Sequence, residues 1–353
     1  MLTQIAAGRV YDFSHVIGRL SPLEGQGFNG HNCVAIGKDN VIYVSNRGSE
    51  KSSVAVPGST AGDMAGVRIG KFDIGVTPGD EKWLLDFGQY GTDPGCLIWP
   101  TGLAIDSQEN VYVTDEWLNR ISVFDKDGKF LRVWGTPGVG DGEINRPSGV
   151  TIDQNDNLYL VDTLSHRVQK FTTEGKYLAQ WGTLGNGEGQ FNSPWGITAD
   201  HQGYLYVVDH KNHRVQKFTP DGEYVTEYGS FGTGPGQLKR PSDVDVDPDG
   251  DIYVCDWANS RVQIFAPDGK FLTSLLGDAQ ELSKWAQVEV DSNLDEWVKA
   301  RRKIKTLEPE WRFALPVGLA FDQENYRLIV ADTQRWRLQI YNKLKEYQDP
   351  GII

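Results

Sequence analysis

The chain of 353 residues carries a formal charge of −13 at pH 7 and a pI near 5.0, the opposite of the clustered Lys/Arg footprint that phosphate-backbone binding needs, so no nucleic-acid partner is expected. Three cysteines, Cys33, Cys96 and Cys255, are too few and too scattered for a disulfide framework, and no run of about 18 apolar residues exists to predict a membrane span. The 40 glycines, with 14 Tyr, 14 Phe and 11 Trp, fit an all-β chain with many tight turns, and the start MLTQIAAGRVYDF, lacking a basic region followed by an apolar run, predicts a cytoplasmic protein.

The first element in chain order is a strand over about Arg9 to Gly18, because YDFSHVIGRLSPLEGQGFNGHN runs parallel to GKYLAQWGTLGNGEGQFNSPWG in the middle of the chain. A repeat copy opens with GHNCVAIGKDNVIYVSN at Gly30, followed by a Gly/Ser/Ala-rich insertion at about 49–67 that reads as a mobile loop. Four copies then recur at a constant step of 47 residues, opening at Pro100, Pro147, Pro194 and Pro241. Each alternates β-branched and aromatic residues with polar ones between Asp/Asn/Gly turns, which predicts four short antiparallel strands per copy. A second insertion, about 278–312, contains the helical pattern NLDEWVKARRKI, with Asn293 placed as an N-cap. The sixth copy opens around Leu315 and runs out after its third strand at Ile340, so the amino-terminal strand is expected to complete it. A lone four-stranded sheet cannot bury both faces; radial repetition solves this and protects the strand edges. The reading is a six-bladed β-propeller spanning 1–353 as one domain.

FNSPWGITADHQGYLYVVDHKNHRVQKF resembles the NHL repeat, whose defining turn is matched by Asn212, His213 and Arg214 and by Ser165, His166 and Arg167. The resemblance covers nearly the whole chain apart from the insertions. It implies a family that includes RNA-binding modules, protein-interaction modules and a zinc-dependent peptidylglycine amidating lyase, whose zinc histidines each follow the blade-opening proline. Those positions here hold Asn32, Thr101, Ser148, Trp195, Ser242 and Val317, so the resemblance does not carry over a three-histidine zinc site.

Function in a propeller should show as departures from the repeat around the top of the central channel, where the blade-opening residues and the Asp ending each second strand lie. Both insertions are expected on this face, as a lid over the mouth. His31 stands where five sister copies have proline, and His210 follows Asp209 on the opposite blade; two imidazoles facing each other across the mouth are able to move protons or bind a divalent metal. On the inner strand, Asp243 and Cys33 replace a column of glycines (Gly102, Gly149, Gly196, Gly318), which makes Asp243 a candidate ligand, general base or buried acceptor for a neighbouring backbone, and Cys33 a small packed residue. Asn32, Arg47, Glu116, Trp117, Trp195, Trp257 and Gln334 occupy rim positions whose identity the repeat leaves free.

Other features read as structure. Each second-strand Asp is followed five residues later by Arg (Asp115/Arg120, Asp162/Arg167, Asp209/Arg214, Asp256/Arg261, Asp332/Arg337), which predicts a turn-locking ion pair. DPDGD at 247–251 mimics a calcium loop but falls where sister copies have their first hairpin, and reads as a turn. The resulting expectation is an enzyme, a lyase or hydrolase, with His31, His210, Asp243 and Glu116 as catalytic groups and a small polar or anionic ligand. The alternative is a non-catalytic binding module using the same face.

Overall fold

The computed structural model describes residues 3–6, 8–21, 25–50 and 64–345. Six antiparallel sheets have their inner strands packed each against the next in a closed cycle. Blade one is His31–Ile36, Val41–Glu50, Met64–Asp73 and Lys82–Phe87, from the axis outward, and blade two is Pro100–Ile105, Val111–Asp115, Arg120–Phe124 and Phe130–Trp134. Blades three, four and five occupy 147–181, 197–228 and 243–275. The protein is a six-bladed β-propeller, as its repeat predicts.

Blade six is made by both ends of the chain. Gly318–Asp322, Arg327–Asp332 and Arg337–Lys343 supply three strands, and Arg9–Ile17 pairs antiparallel with the third, from Tyr11 opposite Lys343 to Ile17 opposite Leu338. Thr3–Ala6 adds a fifth, outermost strand.

Local chemistry repeats with the blades. In blades two to five the second-strand tyrosine is buried and its hydroxyl donates to the Asp that begins the first hairpin turn: Tyr112 to Asp106, Tyr159 to Asp153, Tyr206 to Asp200 and Tyr253 to Asp247, at 2.7–3.1 Å. The DPDGD stretch is one of these turns: Asp247 accepts the Asp249 and Asp251 backbone N–H groups. The Lys343 ammonium lies among its carboxylates, 2.7 Å from Asp249 and 2.9 Å from Asp251. At the opposite face, Asp162–Arg167, Asp209–Arg214, Asp256–Arg261 and Asp332–Arg337 form the expected ion pairs at 2.7–3.0 Å. Blade two departs: Arg120 donates to the carbonyls of Thr92, Asp93 and Cys96, while Asp115 receives backbone N–H groups such as those of Ile98 and Leu118. His166 and His213 sit in left-handed conformation and accept the backbone N–H of Ser193 and Arg240 across the seam to the next blade.

The insertions behave differently from each other. The first lengthens the hairpin between the second and third strands of blade one, with Arg47 opposite Val67 and Glu50 opposite Met64; the loop read as mobile falls largely on 51–63, outside the described residues. The second folds as three helices, α1 (Lys284–Ser292), α2 (Leu294–Arg301) and α3 (Glu308–Trp311). Asn293 is the N-cap residue of α2, as expected, but makes no side-chain cap bond; α1 is capped by Ser283, whose side chain accepts the Ala286 N–H and donates to the Gly18 carbonyl. Trp285, 4% exposed, is buried with Ile17, Phe28, Phe72 and Leu338 between blades six and one, and Lys284 reaches the carbonyls of Gly79 and Glu81 near the bottom of blade one. The expectation of a lid is therefore corrected for this insertion. Its one large buried aromatic finds a dry slot on the outer seam, and no described residue of 278–312 lines the channel.

Candidate functional site at the channel mouth

At the top of the channel a ring of hydrogen bonds passes from each blade to the backbone carbonyl of the next blade's opening residue. Asn32 donates to the Pro100 carbonyl, Thr101 to Pro147 and Ser242 to Pro316, at 3.1–3.3 Å. Thr163 donates to Pro194 at 3.0 Å, with Ser148 bonded to Thr163. In blade four the equivalent residue is Trp195, which cannot fill this role, and His210 does so instead, its Nδ1–H meeting the Pro241 carbonyl at 2.9 Å. In blade six it is Val317, and Thr333 closes the ring onto the carbonyl of His31 at 2.8 Å. A buried carbonyl needs a donor, and the chain supplies one from either of two positions.

This corrects the placing of both histidines. His31 is fully buried; its Nε2–H meets the Arg337 carbonyl at 2.9 Å, its Nδ1 has no protein partner, and its ring lies 4.6 Å from that of Phe28. It ties the first strand of blade one to the third strand of blade six, where the two ends of the chain meet. His210 is 7% exposed, between Trp195 (rings 4.2 Å apart) and Trp257 (6.2 Å). Desolvation lowers both imidazoles to about 4, so both are neutral near pH 7. Neither lines the channel, and they do not face each other across it.

The channel itself is a cavity of about 580 Å³. The charged side chains on its wall are Arg47, Glu116 and Arg146 at the mouth and Asp243 and Asp245 lower down. Glu116 is held between the two arginines, in direct contact with Arg47 and 3.7 Å from Arg146. Both guanidiniums lie over Trp99 at 5.7 Å, and Arg146 also lies over Trp117 at 5.0 Å, which orients them by cation–π attraction. Trp195 and Trp257 form apolar wall. Trp117 stands on the outer rim, half exposed, and Gln334 points away to solvent; neither lines the cavity.

Asp243 and Asp245 are alternate residues of one inner strand and share its channel face. Asp243 accepts the Leu319 N–H at 3.0 Å and lies beside Gly196, where a Cβ would sit 2.4 Å from its Oδ1. Asp245 accepts the Phe321 N–H at 2.7 Å and the Thr198 hydroxyl at 2.8 Å. Desolvation raises both carboxyls, Asp243 to about 8, so a proton stays on Asp243 at neutral pH. Cys33 faces the same cavity, and burial pushes its thiol up, away from nucleophilic character. Among the described residues no group of three or more His, Cys, Asp or Glu is disposed to hold a metal ion.

The cavity thus brings together Asn32, Arg47, Glu116, Trp195, Asp243 and Trp257. It adds two residues that the sequence reading missed. Arg146 precedes a blade-opening proline and was passed over as part of the connection. Asp245 sits two residues after Asp243, in the column of Ala104, Thr151, Thr198 and Ala320, and that second break in the same strand was a usable signal.

A family model described as 6-bladed beta-propeller matches residues 90–182, and the NHL repeat model matches 191–218 and 238–265. No curated protein matches the sequence. Among solved structures, streptogramin B lyase superposes with a TM-score of 0.55 at 15% identity, covering 95% of this chain and 98% of that one. A catalytically inactive virginiamycin B lyase from Staphylococcus aureus, with quinupristin, gives 0.53 at 15% identity over 94% and 99%. An auxiliary nutrient binding protein from Bacteroides thetaiotaomicron gives 0.59 at 13% identity over 93% and 76%. At such identities the likeness is one of fold. The closed ring of six sheets is thus a six-bladed β-propeller, and its segments 191–218 and 238–265, with the Asn-His-Arg turn at 212–214, match the NHL repeat.

Proposed function

We propose that the upper channel is a small-molecule site and that the protein is a lyase or hydrolase acting on a polar or anionic molecule bound there. The observation that carries this is Asp243: a carboxyl with a pKa near 8, on the wall of a concave cavity whose mouth holds two oriented arginines. Arg47 and Arg146 would take an anionic group, and Trp195 and Trp257 the apolar part beside it. Asp243, protonated at pH 7, would donate its proton to a leaving oxygen or nitrogen as the bond breaks, and would recover it from water or the next substrate. Two solved propellers of this fold are named as lyases, which supports the class without fixing the substrate.

A turnover assay on the full chain with small carboxylate esters and phosphate esters tests this. Rates should fall as pH rises through about 8, and Asp243→Asn should lower them roughly a hundredfold, a common loss for a proton-transfer group. Unchanged rates in Asp243→Asn would end the catalytic reading.

A second reading, binding without turnover, is favoured by a specific observation. Asp245 has both carboxylate oxygens engaged by Thr198 and Phe321, and the two rim imidazoles are committed to backbone carbonyls. Saturable binding that needs Arg146, with no product formed, would select it.

A further inference from the structure

The charged groups of the cavity are sorted by depth. Arg146 immediately precedes the blade-opening Pro147, and Arg47 lies at the top of blade one, so the cationic groups are at the mouth. Asp243 is two residues past its blade-opening Pro241 and Asp245 four, so the carboxyls lie roughly 7 and 13 Å further down the axis, at about 3.3 Å per strand residue. Glu116 neutralises one guanidinium and leaves one positive charge in excess at the mouth. No other inner strand carries a carboxylate facing the cavity: the sister residues are Gly or Cys at one level and Ala or Thr at the other. The rest of the wall is Trp195 and Trp257, small aliphatic residues, and Ser and Thr hydroxyls such as those of Thr101, Ser148 and Ser242.

We infer that the ligand of this channel is a zwitterion, an elongated molecule with a carboxylate or phosphate at the Arg47–Arg146 mouth and an ammonium group at Asp243 and Asp245. The inference rests on the small-molecule reading above, not on the proton-donor role given there to Asp243, because a carboxyl that holds an ammonium has given up its proton; it narrows that reading to a ligand class. The two poles are opposite in sign, belong to one continuous cavity and come from different blades, so neither is a by-product of the other's local structure. A carboxyl in low dielectric favours a cation beside it over remaining charged and alone. Both carboxyls line the lumen, and a carboxylate has about four acceptor sites, so the donors from Leu319, Phe321 and Thr198 leave acceptor capacity for an ammonium. The separation also sets length. A chain of five or six bonds between the charges suits a separation of roughly 7 to 13 Å between the levels of the two poles.

The test is calorimetric titration of the full chain with three matched probes: 6-aminohexanoate, hexanoate and hexylamine. The expected result is that 6-aminohexanoate binds at least tenfold more tightly than either of the others. Asp245→Asn should abolish that preference, leaving 6-aminohexanoate and hexanoate alike, and Arg146→Ala should weaken hexanoate and 6-aminohexanoate together. Melting curves of each variant confirm folding, and Asp243→Asn, which keeps an acceptor for Leu319, is the second variant should Asp245→Asn be unstable. If hexanoate binds as tightly as 6-aminohexanoate and depends on Arg146, the zwitterion inference fails while the small-molecule site stands. If none of the three binds, both fail. If calcium chloride binds in a manner lost in Asp245→Asn and 6-aminohexanoate does not compete, the lower pole is a cation site and the inference is overturned.

Discussion

The seam between blades three and four and the seam between blades six and one do the same job by different means. Between three and four, neighbouring copies use the residues the repeat provides: Gly149 donates its N–H to the Trp195 carbonyl, His166 accepts from Ser193, and Thr163 reaches Pro194. Between six and one, a histidine replaces proline and bonds Arg337, a threonine takes over from a valine, and a helical insertion drives Trp285 between the sheets. Blade six is also the one blade assembled from both ends of the chain, held to blade five by Arg9 on Asp251 and Lys343 on the 247–251 turn. A departure from repeat is thus of two kinds. Where the side chain is shut into the seam, as those of His31 and His210 are, it repairs a closure; where it bonds the neighbouring blade and also lines the channel, as those of Asp243 and Asp245 do, it marks a candidate site.

The strongest way to break this distinction is Trp285→Ala. Removing a fully packed indole from the closing seam should cost about 3–5 kcal/mol, read as a large drop in Tm, while ligand affinity in the still-folded protein stays unchanged. Loss of binding at unchanged Tm would put the insertion back over the mouth. Close behind it is Arg214→Ala, which strands the buried Asp209 carboxylate and should cost roughly 3 kcal/mol without touching the cavity.

His31 sharpens the comparison through pH. Its folded pKa, about 4, lies below the roughly 6.5 of an unfolded imidazole, so the stability it confers is present above pH 6.5 and is lost as pH falls toward 4, by up to about 3 kcal/mol. In His31→Gln the acid limb of a Tm-versus-pH curve should flatten, with channel binding intact. Asp243 has the reverse sign: its folded pKa is raised, so its contribution is full below about pH 4 and is lost as pH rises to 8. Asp243→Asn should therefore be more stable than the parent at pH 9 and bind a cationic ligand group less well, the pairing expected of a site residue. The smallest effect is that of Trp117→Ala, an exposed rim aromatic outside the cavity, whose Tm should move by less than about 1 kcal/mol equivalent.

The fold was legible because the proline step of 47 and the truncated sixth copy are properties of the string of residues alone, and blade number and closure follow from them. Asp243 was legible for the same reason, as a break in a glycine column. His31 and His210 were misread because sequence gives a residue's level along a strand but not which way its side chain turns at the rim, and both turn toward a neighbour's carbonyl. Arg146 was passed over because it lies in the connection, outside the strand pattern used to find exceptions. The seat of the second insertion depends on one aromatic, Trp285, meeting a slot formed by Ile17, Phe28 and Phe72, more than 200 positions before it, and by Leu338 after it, which no local pattern records.

The mouth ring makes the six blades interchangeable in one respect and unequal in another. Each opening carbonyl is served from the position after the blade's opening residue or from the position after the second-strand Asp, so those two positions are free to trade. Trp195 is released to the lumen because His210 serves in its place, and Val317 because Thr333 does. A variant such as His210→Leu should then be rescued by Trp195→Ser, with the wall of the channel altered as a result. The rim can therefore change its recognition surface two residues at a time while the circle of bonds beneath it stays whole.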